Sequence, residues 1–189
     1  MKATLKPVIL SAVVTLSAIF AIVYTSCTPD KCKAIACAHG ATCDQGACLC
    51  LPGFTGPNCE TATKDKFLSQ WQVQEQGSVT NAAQYALDIE KTNSDTIVAI
   101  KNLWNYFSQT VYANVHGDTL YIPNQQLMGH VVFGKGYIYA TNLYGPNSAI
   151  AMRYEVIDTA AGQPQQWVDD FGYYSDIDGS SPSIWSKVP

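Results

Sequence analysis

The chain has 189 residues, a net charge of −4 and only 14% charged residues, which excludes the basic face that nucleic acid requires. Once a targeting segment is removed, that length holds one mid-sized domain and one small module, and no solenoid repeat or low-complexity tract is evident. Aromatics at 11%, with 11 tyrosines, favour a β-rich body.

Lys2 and Lys6 open the chain, an apolar run extends from Val8 to Val23, and Tyr24-Thr25-Ser26-Cys27 follow. A positive head and a short apolar core predict a secretory signal over residues 1–26. The run falls short of the roughly 20 apolar residues that a membrane-spanning helix needs. Cys27, directly after small Thr25 and Ser26, resembles the lipobox cysteine of bacterial lipoproteins. Tyr24 stands where an aliphatic residue is usual, a relaxed form familiar in Bacteroidota lipoproteins. The resemblance implies cleavage before Cys27, palmitate-type acylation there and a lipidated tether over residues 27–31. Three acyl chains at about 0.8 kcal/mol per buried methylene make a stable membrane anchor. Thr28 in place of Asp implies delivery to the outer membrane, on its periplasmic or its outer face. An uncleaved signal anchor and a soluble secreted form are the alternatives.

The other six cysteines fall between Cys32 and Cys59, a 28-residue stretch spaced C-x4-C-x5-C-x4-C-x-C-x8-C. So short a segment cannot bury enough apolar surface to fold alone, and in an exported protein cross-links replace the core. Zinc is the weaker reading, because the spacing lacks two matching pairs of ligands. Spacing by itself leaves every pairing of six cysteines open. The run Cys48-Leu49-Cys50-Leu51-Pro52-Gly53-Phe54-Thr55-Gly56-Pro57-Asn58-Cys59 resembles the end of an EGF-like module. That resemblance implies the bridges Cys32–Cys43, Cys37–Cys48 and Cys50–Cys59 over residues 32–59, with Gly53 and Gly56 in a tight final hairpin. Calcium-binding modules of this kind carry an acidic run before the first cysteine, and Asp30-Lys31 departs from it.

Residues 60–66 read as a polar linker, and from Phe67 to Asp158 apolar and polar residues alternate. Strands are predicted at Phe67–Glu75, Tyr85–Ile89, Thr96–Leu103, Thr110–His116, Thr119–Ile122, His130–Phe133, Tyr137–Thr141 and Ala149–Ile157. Turn signals separate them at Thr92–Asp95, Asn105, His116–Asp118, Gly134–Gly136 and Tyr144–Asn147. Pro123 is expected to end its strand, since it cannot donate to a ladder. The fold class is therefore mainly β: a disulfide-rich module and an antiparallel meander of about eight strands, closed as a barrel or packed as a sandwich. This body resembles the β-rich domain that follows an EGF-like module in Bacteroidota lipoproteins. It is also similar to lipocalin-like domains, whose first strand reads G-x-W; Ser69 stands in the glycine position before Trp71. Residues 159–189 form an aromatic and Ser/Pro-rich segment for which composition gives no regular element.

Reactive chemistry is thin. His39, His116 and His130 share no ligand spacing, Asp176-Ile177-Asp178-Gly179 lacks the remaining oxygen ligands of a calcium loop, and no nucleophile elbow occurs. No metal, cofactor or catalytic residue is predicted. Thr96, Thr119 and Thr159 each follow Asp in a form resembling the Asp-Thr acceptor of Bacteroidota O-glycosylation. The sequence points to a non-catalytic, membrane-anchored envelope module for binding, adhesion or structure, with a protein or glycan partner. The second reading is a barrel holding a small apolar or glycan ligand, with Trp71, Trp104, Tyr112, Tyr137 and Tyr139 as its wall.

Overall fold

The computed structural model describes residues 30–140, 142–159, 167–173 and 181–189. Cys27 and the Asp176–Gly179 loop lie outside them.

The cystine module carries the pairing that the resemblance implies: Cys32–Cys43, Cys37–Cys48 and Cys50–Cys59, with Cα separations of 5.8, 5.6 and 5.2 Å. Its ladders are short: β1 (Thr42–Asp44) pairs with β2 (Ala47–Leu49), and β3 (Phe54–Thr55) with β4 (Thr61–Ala62). Between Cys32 and Cys59 only Cys59 is buried, so the bridges stand in for a core. Each closes a loop of about ten residues and contributes about 2–3 kcal/mol in the chain-entropy account.

The expected linker is structured. Thr61 and Ala62 belong to β4, and Thr63–Lys66 form a 3-10 turn in which Lys66 is buried. Two contacts fasten the module to the barrel behind it. Thr63 donates its N–H to the Gly53 carbonyl at 2.8 Å, and Lys64 donates to the Ser94 carbonyl at 2.5 Å. Gly53 (φ 96°) meets the same loop: a β-carbon there would lie 2.9 Å from the Asp95 carbonyl oxygen.

The body is a closed eight-stranded antiparallel barrel. Its strands are β5 (Ser69–Glu75), β6 (Ala83–Lys91), β7 (Ile97–Lys101), β8 (Val111–His116), β9 (Thr119–Leu127), β10 (His130–Tyr139), β11 (Ala149–Asp158) and β13 (Ser183–Lys187), and a ninth, β12 (Val168–Phe171), pairs with β11 alone. Neighbours pair in sequence from β5 to β11, and β13 closes the ring between β11 and β5. β13 takes the first half of β11, Ala149–Met152, and β12 the second, Tyr154–Ile157. The C-terminal segment is thus part of the barrel wall, against the composition-based expectation, with Trp185 fully buried.

Two further expectations are corrected. Gly134-Lys135-Gly136 is not a turn; it lies inside the single strand β10. A β-carbon on Gly134 would sit 2.4 Å from that of Tyr154, and one on Gly136 would sit 2.6 Å from the Met152 sulfur. The glycines make room for two large side chains of β11. Pro123 does not end β9 either: the β9–β10 register shifts where Val132 and Gly134 face Gln125 and Ile122, a bulge that spares proline a ladder bond.

One end of the barrel is closed by the 3-10 turn. Phe67 is fully buried there and accepts the Trp71 indole N–H on its carbonyl at 2.8 Å. Lys66 pairs with Asp118 in the β8–β9 turn, and the Lys187 ammonium lies 5.8 Å from the Trp71 ring centre. Chain entry, cystine module and C-terminus all gather at this end. The opposite, open end carries the β5–β6, β7–β8 and β9–β10 connections, the end of β11 and the start of β12.

Candidate functional site

Alternation decides where the five predicted wall aromatics go. On β8 Val111, Ala113 and Val115 face inward, so Tyr112 is half-exposed on the outer wall. On β10 Val132, Gly134, Gly136 and Ile138 face inward, which sends Tyr137 and Tyr139 outward as well. Trp71 is inside, in packed core at the closed end. Trp104 is the one of the five that lines a cleft formed by the described residues.

That cleft is at the open end and encloses about 270 Å³. Glu75, Thr80, Asn81, Trp104, Asn105 and Tyr106 line it. Glu75 is the last residue of β5 and follows Trp71 and Val73 on the inward face, so the strand's own period carries its carboxyl into the barrel. A second, wider cleft of about 470 Å³ reaches Glu75 from the side of Gln74, Gln84 and Pro182.

Three strands bring hydrogen-bonding groups to this carboxyl. Tyr85 of β6 donates to Oε1 at 2.8 Å, while Tyr154 of β11 and Ser183 of β13 donate to Oε2 at 2.9 and 2.6 Å. Ser183 in turn accepts the Trp185 indole N–H at 2.8 Å, which commits its own proton to Glu75. Every partner is a donor, so Glu75 is the acceptor of all three bonds.

Burial raises the Glu75 pKa above its ordinary 4.5; bonds from Ser183, Tyr85 and Tyr154 pull the other way, and nearby Asp169 adds to the rise. Burial and the Glu75 charge push the Tyr85 hydroxyl far above its usual range. Burial, then Tyr85 and Glu75, do the same to Tyr154. Both phenols therefore stay protonated and act as donors.

Two loops form the rim. The β5–β6 loop is held by Asp169 of β12, whose fully buried carboxylate accepts N–H groups from Val79 (2.9 Å) and Thr80 (3.3 Å) and the Thr80 hydroxyl (2.5 Å). In the β7–β8 loop Asn102, Trp104 and Asn105 have φ of 63°, 61° and 48°. Left-handed backbone is costly for residues other than glycine, and for tryptophan above all it persists only where the surroundings fix it. Here the fixing is aromatic: Tyr106, Phe107, His130 and Trp167 ring centres lie 5.2, 5.6, 5.4 and 5.8 Å from that of Trp104.

The remaining predicted sites are dispersed. His39 stacks on Phe54 in the cystine module, His116 ends β8 on the surface, and His130 joins the Trp104 cluster. Among the described residues no three His, Cys, Asp or Glu side chains are grouped to hold a metal ion. Thr96 and Thr119 are half-buried at the closed end; Thr159 is at the open end, its hydroxyl on the Gly129 carbonyl at 2.8 Å. Sequence reasoning missed Glu75, Tyr85, Tyr154 and Ser183. The one signal for them was a glutamate at an inward position of a strand that starts with a buried tryptophan. No protein-family model matches the chain, and a search of curated proteins finds no similar one.

Proposed function

We infer that the protein is a non-catalytic binding module, anchored to the outer membrane through lipid on Cys27, that offers the open end of its barrel to a ligand or partner. The observation that carries this reading is polarity along the barrel axis. The chain enters at the end where the cystine module contacts Thr92–Asp95, and the cleft with Glu75 and Trp104 lies at the other. An anchor upstream of the module would leave the cleft facing away from the membrane.

Binding fits the site better than turnover. Ser183 is fully buried and has its proton on Glu75, and both phenols are held protonated. Trp104 and Tyr106 offer ring surface and Asn81 and Asn105 offer amides, a mixed lining that also supports the second reading, a small-ligand barrel. The EGF-like and lipocalin-like resemblances of the sequence agree with a spacer and a binder in series.

Expression of the full chain in a Gram-negative host tests the anchor. The wild type should incorporate palmitate and sediment with the outer membrane, and Cys27→Ser should do neither. Envelope sedimentation of Cys27→Ser with label retained would remove the lipoprotein reading.

A further inference from the structure

Glu75 is a buried carboxyl with no lysine or arginine beside it among the described residues. Its three partners are neutral hydroxyls. Among the described residues the lysines and the arginine are engaged elsewhere, Lys64 on the Thr92 and Ser94 carbonyls, Lys66 on Asp118, Lys101 on Thr110, Arg153 on the Gly172 carbonyl, and Lys187 on that of Lys66, while the His130 ring packs on Trp104 and Tyr106 with Nδ1 at the Met128 carbonyl. Lys33 belongs to the cystine module and Lys31 directly precedes it, Lys91 ends β6 at the closed end, and Lys135 is exposed on β10. Segments 160–166 and 174–180 contain no Lys, Arg or His. Asp169, also fully buried, adds a second negative charge close enough to act on Glu75. Two desolvated carboxylates without a counter-charge make this end of the barrel strongly attractive to a cation.

The cleft also states which kind of cation. Oε1 accepts one bond, from Tyr85, and a carboxylate oxygen has two lone pairs, so one direction is left for a ligand N–H. A divalent metal ion would ask for six or more oxygen ligands, which this lining does not converge. Trp104 and Tyr106 supply what an organic cation uses: ring faces that attract positive charge and flank an apolar body. The amide oxygens of Asn81 and Asn105 can accept further N–H groups. We propose that the open-end cleft binds a small primary ammonium compound, its N–H groups on Glu75 Oε1 and the flanking amides and its apolar body against Trp104 and Tyr106.

This rests on reading the open end as the binding face, and the test separates the two. Purified full chain is titrated at constant ionic strength with phenethylammonium, with 3-phenylpropionate and with neutral 2-phenylethanol, following heat and tryptophan fluorescence. Phenethylammonium should bind roughly tenfold or more tightly than either isostere, a difference readily resolved by titration. Glu75→Gln, which keeps size and one acceptor, should remove that preference. Trp104→Leu leaves the carboxylate in place and should weaken the ammonium probe; it serves also if Glu75→Gln does not fold. Equal binding of all three probes, lost in Trp104→Leu, would overturn the ammonium proposal and leave the cleft as a binding face. Undiminished ammonium binding in folded Glu75→Gln or in Trp104→Leu would overturn the proposal too. No binding of any probe by folded wild type would overturn both.

Discussion

Gly77 and Asp169 are in contact through a space that no other residue could share: a β-carbon on Gly77 would lie 2.0 Å from Asp169 Oδ1. The glycine is what lets the carboxylate reach under the β5–β6 loop and collect the Val79 and Thr80 N–H groups. Gly77→Ala should therefore act at a distance from its own small volume. It displaces Asp169, frees the loop that carries Thr80 and Asn81, and should cost about 1–3 kcal/mol, as overpacking of a closed site does. Urea unfolding measures this, and amide exchange at Val79 and Thr80 should accelerate in the variant. Unchanged exchange there would mean that Asp169 does not hold the loop.

Gly134→Ala should be more damaging. Its β-carbon would meet the Tyr154 β-carbon at 2.4 Å and the Arg153 carbonyl oxygen at 2.5 Å, and neither can swing aside because both belong to the facing backbone region of β11. β10 pairs with β9 and β11 at once, so a shift to relieve the clash would disturb both ladders. A loss of about 3 kcal/mol or more, at the upper end of overpacking costs, is expected in denaturant unfolding. Wild-type stability in this variant would show that β10 tolerates movement.

The barrel was legible in the sequence wherever period two was unbroken, as in Ser69–Glu75 and Val111–His116. It was obscured where a local signal had a tertiary cause. Gly134 and Gly136 read as punctuation because glycine usually bends a chain, whereas here the partners' side chains, Tyr154 and Met152, demanded them. Pro123 read as a stop because the bulge that accommodates it depends on β10. Ser183–Lys187 gave too short an alternation to stand alone, although Trp185 is as buried as any residue in the core. The cystine pairing was recoverable because a motif, and not spacing, carried it. The cleft was largely illegible: Tyr85, Tyr154 and Ser183 are distant in sequence, and only closure of the barrel brings them to Glu75.

Met128 offers a stabilising change. With Gly129 it forms the two-residue β9–β10 turn, and φ is 51° and 83° at the two positions, the signature of a type I′ turn. That turn favours Asn-Gly, and methionine has no local hydrogen bond to offset a left-handed backbone. Met128→Asn should raise stability by about 0.5–1 kcal/mol, visible as a higher Tm of the folded chain. The Ser108 hydroxyl contact to the Met128 sulfur, at 3.4 Å, is the interaction lost. A lower Tm would show that this contact outweighs the backbone preference.

Glu75 should leave a pH signature of definite sign. Burial lifts its folded-state pKa above the ordinary 4.5, so between those two values the folded chain binds more protons than the unfolded one. Glu75 therefore contributes most to stability below 4.5, where it is protonated in both states, and that contribution is lost as pH rises through its folded-state value. Tyr85 and Tyr154 face it, but their pKa values are raised and they do not ionise in this window; Asp169 strengthens the effect through its charge. Glu155 is lifted too, by burial and then by Asp170, so the wild type alone would mix two titrations. Comparison with Glu75→Gln isolates one. The difference in Tm, wild type minus variant, should decrease as pH rises from 4.5 through the raised folded-state value of Glu75 and then level off, because only the wild type has this carboxyl to deprotonate. A difference that grows with pH would mean that the three hydroxyl bonds outweigh desolvation, and that Glu75 is most stable in its charged form.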